Sequence, residues 1–338
     1  MSAPARPPEG SARVPPEGTR DAEGAPPTVP EAPVEGEDWS HTPERSNALA
    51  LRVMSWIALR CGRRVAGWVL HPITLYFLLF APTPRRHALR YLTRALGRPA
   101  GWRDAYRHLH TFTVTILDRV YLLGDRMDLF DVQVRGEAVV TETLAHGRGA
   151  FLVGAHVGSF EVLRAVGARH AGLRIAMVMY PDNARLINRA LQAIAPHYRP
   201  QIIALGRHDS MLAVRDWLDG GGLAGLLADR ALPGESARAS SVEVDFLGHP
   251  ARFSDDPFRL AALLRRRVVF MAGLHAGGNR YDVRFEALAD FSERLPDAAE
   301  RERRIRAAVQ AYAARLEAIC RERPNNWFNF HDFWREDA

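Results

Sequence analysis

The chain contains no lysine: every one of its 45 Lys/Arg positions is arginine. A Walker-type phosphate loop needs a lysine after its glycines, so that class is excluded. The three consecutive glycines Gly220, Gly221 and Gly222 precede an apolar run instead of following one, and no GxGxxG lies between a strand-like and a helix-like segment. A dinucleotide-binding fold therefore has no sequence support. Cysteine is nearly absent, with only Cys61 and Cys320 among 338 residues. Two such distant residues form neither a metal-ligand spacing nor a disulfide framework, which fits a reducing cytoplasmic setting. The opening residues have no apolar h-region, so a cleavable signal peptide is not expected. Residues 1–45 are rich in Pro, Gly, Glu and Ala and poor in large apolar side chains. Such a tail cannot bury enough surface to offset its ordering entropy and is expected to be disordered.

From Ser46 the composition changes. The chain as a whole is 47% hydrophobic with a net charge of +6, ample for a sizeable core. The basic balance suits an anionic partner such as a membrane surface or phosphate, and arginine suits bidentate phosphate binding. The arginines are spread along the chain and form no recognised nucleic-acid module, so no nucleic-acid partner is expected. Residues 46–130 read as helical. Residues 49–59 are amphipathic, and Arg60, Arg63 and Arg64 follow. Residues 65–80 are apolar, close to the lower limit of roughly 17 residues for a span, but His71 and Pro72 interrupt them. Trp56, Trp68 and Tyr76 are candidate interfacial anchors. This composition favours membrane association, by a span or an interfacial hairpin; the competing reading is a buried core helix. Residues 102–123 form a further amphipathic helix, with Arg103, His108, His110 and Asp118 expected on a solvated or satisfied face.

Residues 131–338 alternate between strand-like and helix-like patterns, which predicts an α/β domain. Strands are expected over 131–136, 150–153, 173–180, 201–205, 223–228, 241–248, 268–274 and 281–285. Helices are expected over 138–145, from Ser159, over 183–194 and 210–218, from Pro257 and over 297–320. The aromatic cluster of residues 325–334 is expected to pack on the core. The chain is organised around residues 150–167, AFLVGAHVGSFEVLRAVG. Gly154 ends a buried strand, His156 sits in the turn, and Glu161 falls in the first turn of the next helix. A strand-end histidine faces the crevice where open α/β folds bind ligands. A carboxylate on one ring nitrogen leaves the other free as a base. The plainer reading is a histidine satisfied by a helix carboxylate. The backbone N–H groups of Gly158 and Ser159 are candidate oxyanion donors. Asp229 and Arg230 stand in the same position at the end of a later buried strand.

These stretches resemble the lipid A late acyltransferase (lauroyl/myristoyl acyltransferase) family of the lysophospholipid acyltransferase superfamily. The resemblance is carried by GAHVGSFE at 154–161, LADRALPGE at 227–235, VEVDFLGHPARFSDDPFRLAALLRRRVVFMAGL at 242–274 and PNNWFNFHDFW at 324–334. It is nearest to a predicted acyltransferase branch associated with aryl-polyene and xanthomonadin-type pigment clusters. The resemblance implies a mixed sheet flanked by helices, with an N-terminal membrane-associated helical segment over 46–130 and the acyltransferase domain over 131–338. It implies transfer of a fatty or aryl-polyene acyl group from an acyl carrier protein or CoA thioester to the hydroxyl of a lipid-like acceptor. The setting implied is the cytoplasmic face of a bacterial inner membrane, with no cofactor and no metal.

Carried onto this chain, the resemblance makes His156 the general base and Glu161 the acid that orients it. Asp229 and Arg230 join Gly158 and Ser159, the candidate oxyanion donors, as substrate-binding candidates, with Asp229 also a candidate orienting group. Arg230 stands where these enzymes often have a neutral residue, and Asp255-Asp256 replaces a more usual small pair. Tyr180 is followed by Pro181 where the lipid A enzymes commonly place arginine, and Arg185 is the candidate that compensates. Two other classes compete: a metal-dependent hydrolase using His156, Glu161 and Asp229, and a non-catalytic lipid-binding membrane scaffold of the same fold.

Overall fold

The computed structural model describes residues 48–169, 173–180, 200–206, 209–230 and 241–334, with side chains from Trp56 onward. The expected tail, the helix expected over 183–194 and Arg185 lie outside the described residues. Strand β2 (Phe151–Gly154) is the axis of the fold. Its run of apolar residues is buried on both sides, as expected of a central parallel strand. β2 pairs in parallel with β5 (Leu223–Leu227) on one side and β8 (Arg267–His275) on the other. Beyond β5 lie β3 (Ile175–Met179) and β4 (Ile202–Ala204), also parallel. Beyond β8 lies β9 (Arg280–Asp290), which is antiparallel to β8, and then β1 (Asp131–Arg135), parallel to β9. The seven-stranded order is therefore β1-β9-β8-β2-β5-β3-β4, a mixed sheet.

Alternation along the strands divides the core into two layers. Phe151, Val153, Phe270 and Leu274 face one side, with Tyr312 and Leu316 of the C-terminal helix. Leu152, Val269 and Met271 face the other, with Val162 and with Ala66, Leu70 and Leu117 of the N-terminal helices. The described residues, from Ala48 to Trp334, fall in one compact unit. Among the described residues the helices are α1 (Ala48–Phe80), α2 (Pro82–Leu96), α3 (Trp102–Leu123), α4 (Glu137–Ala145), α5 (Phe160–Arg169), α6 (Ser210–Asp219), α7 (Asp256–Leu264) and α8 (Ala298–Glu322).

Three features differ from the sequence expectation. α1 runs straight through Pro72 and bends instead at Gly62, whose φ of 80° only glycine adopts freely. Among the described residues no single helix is long and apolar enough to cross a membrane; Trp56–Phe80 and Pro82–Leu96 reach that length and composition only together, bent by 95°. Between the strand expected over 241–248 and the helix expected from Pro257 lies a strand that was not expected: β7 (His249–Ser254) pairs with β6 (Ser241–Phe246) as a hairpin apart from the main sheet.

Candidate active site

The parallel register of β2 and β5 sets Gly154 opposite Leu227. His156 stands two residues beyond the first and Asp229 two beyond the second, so both emerge at the same sheet edge. Asp229 is buried, 2% exposed, and three donors meet on it. The His156 backbone N–H reaches Oδ2 at 2.9 Å and ring Nδ1 lies 2.9 Å from Oδ1. The Trp327 indole Nε1–H donates to Oδ2 at 2.9 Å. Burial works to raise the Asp229 carboxyl. The His156 ring and its hydrogen bond, then Arg230 and Trp327, outweigh burial and hold it well below the usual carboxylate range. An ionised Asp229 accepts only, so Nδ1 carries the proton in the neutral ring and Nε2 is left with its lone pair.

The loop carrying His156 is held by the backbone of the C-terminal segment. Phe328 N–H donates to the His156 carbonyl at 2.9 Å, and Gly158 N–H donates to the Asn326 carbonyl at 2.9 Å. Ser159 N–H donates to the Gly273 carbonyl at 2.8 Å. The Tyr312 hydroxyl secures the end of β2 at the Gly154 carbonyl, 2.8 Å away. Gly158 has φ +59°, and a Cβ there would collide with the Gly273 carbonyl oxygen, so the turn requires glycine.

Glu161 does not take the place expected of it. The Nδ1 of His156 is occupied by Asp229, while the Glu161 carboxylate pairs with Arg119 Nε of α3 at 2.8 Å and accepts from the Ser159 hydroxyl at 3.1 Å. The spacing of four places Glu161 in the first turn of α5, facing α3, and the strand register gives the histidine to Asp229. The expectation that Gly158 and Ser159 offer backbone donors to substrate also fails, since both N–H groups are spent inside the fold. Ser159 is buried, 1% exposed, with its hydroxyl on Glu161. Asp229 is buried and has both oxygens engaged by protein donors, two on Oδ2 and one on Oδ1. Arg230 remains beside the pair. Burial lowers its pKa against the raising effect of Asp229, and its Nε has no hydrogen-bond partner among the described residues. His156, Glu161 and Asp229 do not converge as ligands, and no group of three or more such side chains fit for a metal occurs among the described residues.

Trp327 and His331 belong to this neighbourhood as well. Trp327 is 1% exposed and packs edge-on against Tyr91 and Phe333, as the sequence suggests for its cluster, yet its one polar atom aims at Asp229. A buried indole seeks an acceptor, and that was the available signal. His331 is pushed down to about 4, by burial first and then by Arg230, partly countered by Asp229, with His156 and His87 adding to the lowering. Residues 106–336 match the model of the bacterial lipid A biosynthesis acyltransferase family. No curated protein matches the chain. The match spans well over half of the sequence, and the chain belongs to that family and is an acyltransferase.

Proposed function

We propose, on the premise of that family membership, that this acyltransferase moves an acyl group from a carrier-protein or CoA thioester to a hydroxyl of a lipid-like acceptor. The reaction is placed at the cytoplasmic face of the inner membrane, and the acyl group is fatty or aryl-polyene. The observation that carries the reading is the bond between His156 Nδ1 and the buried, ionised Asp229, which leaves Nε2 as a base on a ring that is one-third exposed. In the proposed step Nε2 takes the acceptor's hydroxyl proton as the oxygen attacks the thioester carbonyl. The tetrahedral adduct collapses with cleavage of the C–S bond, and the departing sulfur takes the proton back from the imidazolium. The products are an ester and a free thiol, and no covalent acyl-enzyme is required. Cys320 is buried and burial pushes its thiol well above the ordinary thiol range, so it is no nucleophile.

Glu161 acts at one remove, through Ser159 and Arg119, on the turn that carries His156. Arg230 is the group next to the pair assigned to substrate, on the strength of its position and its unpartnered Nε. The test uses membranes containing the wild type or His156→Ala, a labelled acyl-carrier protein or acyl-CoA, and a total lipid extract, followed by mass spectrometry. A new acylated lipid that is absent from the variant supports the reading and names the acceptor. Equal product in both removes His156 from the chemistry.

A further inference from the structure

A cleft of about 710 Å³ opens at the same sheet edge between α1, α3 and the β8–β9 turn, and His156 does not line it. Asn326 separates it from the His156 loop. Its side chain accepts from His275 N–H at 2.7 Å and donates to the His275 carbonyl at 3.1 Å, while its own carbonyl takes the Gly158 N–H. The cleft's charge is one-sided. Arg63 is neutralised by bidentate contact with buried Asp118, at 2.7 and 2.9 Å. The one lining carboxylate, Glu322, is held by Arg284 at 2.6 and 2.7 Å. Arg64 from α1 and Arg107 from α3 also line the cleft, and neither makes an ion pair with a described residue. A flat wall completes it: the His71 and His110 rings stack at 4.6 Å, and His71 Nδ1 lies 2.6 Å from the Tyr106 hydroxyl.

The cleft continues into an apolar stripe. Trp68 lines it and is 78% exposed. Leu75, Tyr76 and Leu79 follow at helical spacings on α1, and all are exposed. Arg64 lies one turn before Trp68, so cation and stripe share a helix face. From Arg64 to Leu79 the helix runs about 22 Å, more than the roughly 15 Å of hydrocarbon in one leaflet.

We propose that this cleft is a binding site for the phosphate headgroup of an anionic lipid, with Arg64 and Arg107 as its cations and the acyl chains laid along the exposed stripe of α1. It is a second lipid site, distinct from the acceptor at His156, and it rests on the membrane setting proposed above. The test is vesicle co-sedimentation of the full chain with phosphatidylcholine alone and with an equimolar phosphatidylcholine–phosphatidylglycerol mixture. Wild type is expected to bind the anionic vesicles more tightly, and Arg64→Gln with Arg107→Gln to lose about thirtyfold of that preference. The control Arg301→Gln with Arg306→Gln removes the same charge from exposed positions of α8 and is expected to keep most of it. Soluble dihexanoyl phosphatidylglycerol is expected to compete, and inorganic phosphate at equal concentration to fail.

A double variant that retains the preference, or a control that loses as much, overturns the site. Competition by inorganic phosphate equal to that by the short-chain lipid overturns the lipid as its source. Absence of binding to either vesicle overturns both the site and the membrane setting. No acyl donor is present, so these outcomes are independent of acyl transfer.

Discussion

Replacing Asp229 with asparagine removes a negative charge where three donors meet. The amide oxygen can take the Oδ2 position and keep both the His156 and the Trp327 N–H bonds, which are 2.9 Å each. The amide nitrogen then faces His156 Nδ1, which must become an acceptor, and the ring proton moves to Nε2. The opposite rotamer sets two N–H donors against an NH2 group and is disfavoured. No donor is orphaned in the first arrangement, so the cost to folding is limited to weakening charge-assisted bonds, about 1–3 kcal/mol. The cost to catalysis is larger, because the base is now capped by its own proton. A positioned general base contributes about 10²–10⁴-fold, and a wrong-tautomer carboxylate-to-amide change in a hydrolase triad costs on the order of 10⁴. The expected fall in the transfer rate is therefore roughly 10²–10⁴-fold, or roughly 3–5 kcal/mol in the barrier. Single-turnover ester formation measures the rate, and nitrogen NMR of the labelled His156 ring reports the tautomer. A ring protonated on Nε2 with the rate within about threefold of wild type, far inside the general-base range, would refute the assignment of Nε2 as base. A lost rate with Nδ1 still protonated would refute the tautomer argument.

Three further outcomes follow from the same geometry. Trp327→Phe keeps the ring against Tyr91 and Phe333 but deletes the N–H on Asp229; kcat is expected to fall about tenfold with KM little changed and stability to drop about 1–2 kcal/mol, read from steady-state transfer and urea unfolding. Gly158→Ala forces a methyl onto the Gly273 carbonyl at φ +59° and is expected to cost more than about 3 kcal/mol, read by thermal unfolding; a variant as stable as wild type contradicts the turn geometry. His108 is fully buried among Tyr91, Phe328 and Phe330, and burial pushes it down to about 4. The unfolded chain takes up this proton below about pH 6.5 and the folded chain refuses it down to about 4, so stability falls as pH drops through that window. His108→Leu is expected to gain about 2 kcal/mol on wild type between roughly pH 7 and pH 5, by urea unfolding at both; an unchanged difference contradicts the burial argument.

Much of the site's scaffold was legible along the chain. An apolar run closed by Gly154 announced β2, the same pattern announced β5, and the two charged residues after it were recognisable as emerging at an edge. The identity of the partner was not legible, because it depends on a pairing register between strands 73 residues apart at the reacting ends. A spacing of four within one segment is visible locally and suggested Glu161, but the start of α5 turns that carboxylate toward Arg119. Asp229 reaches His156 only because Gly154 pairs with Leu227. The β6–β7 hairpin was hidden for a related reason. Its turn places Leu247, a residue with no turn preference, at φ 56° beside Gly248, and Leu247 is buried with its N–H on Glu317 of α8 at 2.7 Å. Tertiary contact pins that turn where local chemistry does not. Pro72 misled because a proline in a helix reads as a break, whereas the bend fell at Gly62.

The measurement that bears most directly on the central claim is the pH dependence of single-turnover ester formation by wild type and a folded His156→Ala variant. The account expects an acid limb in the wild type, with the rate falling as the ring gains a proton on Nε2, and a much slower rate without that limb in the variant. The same rate and the same limb in both would show that the proton is taken elsewhere, and His156 with Asp229 would then be a structural pair.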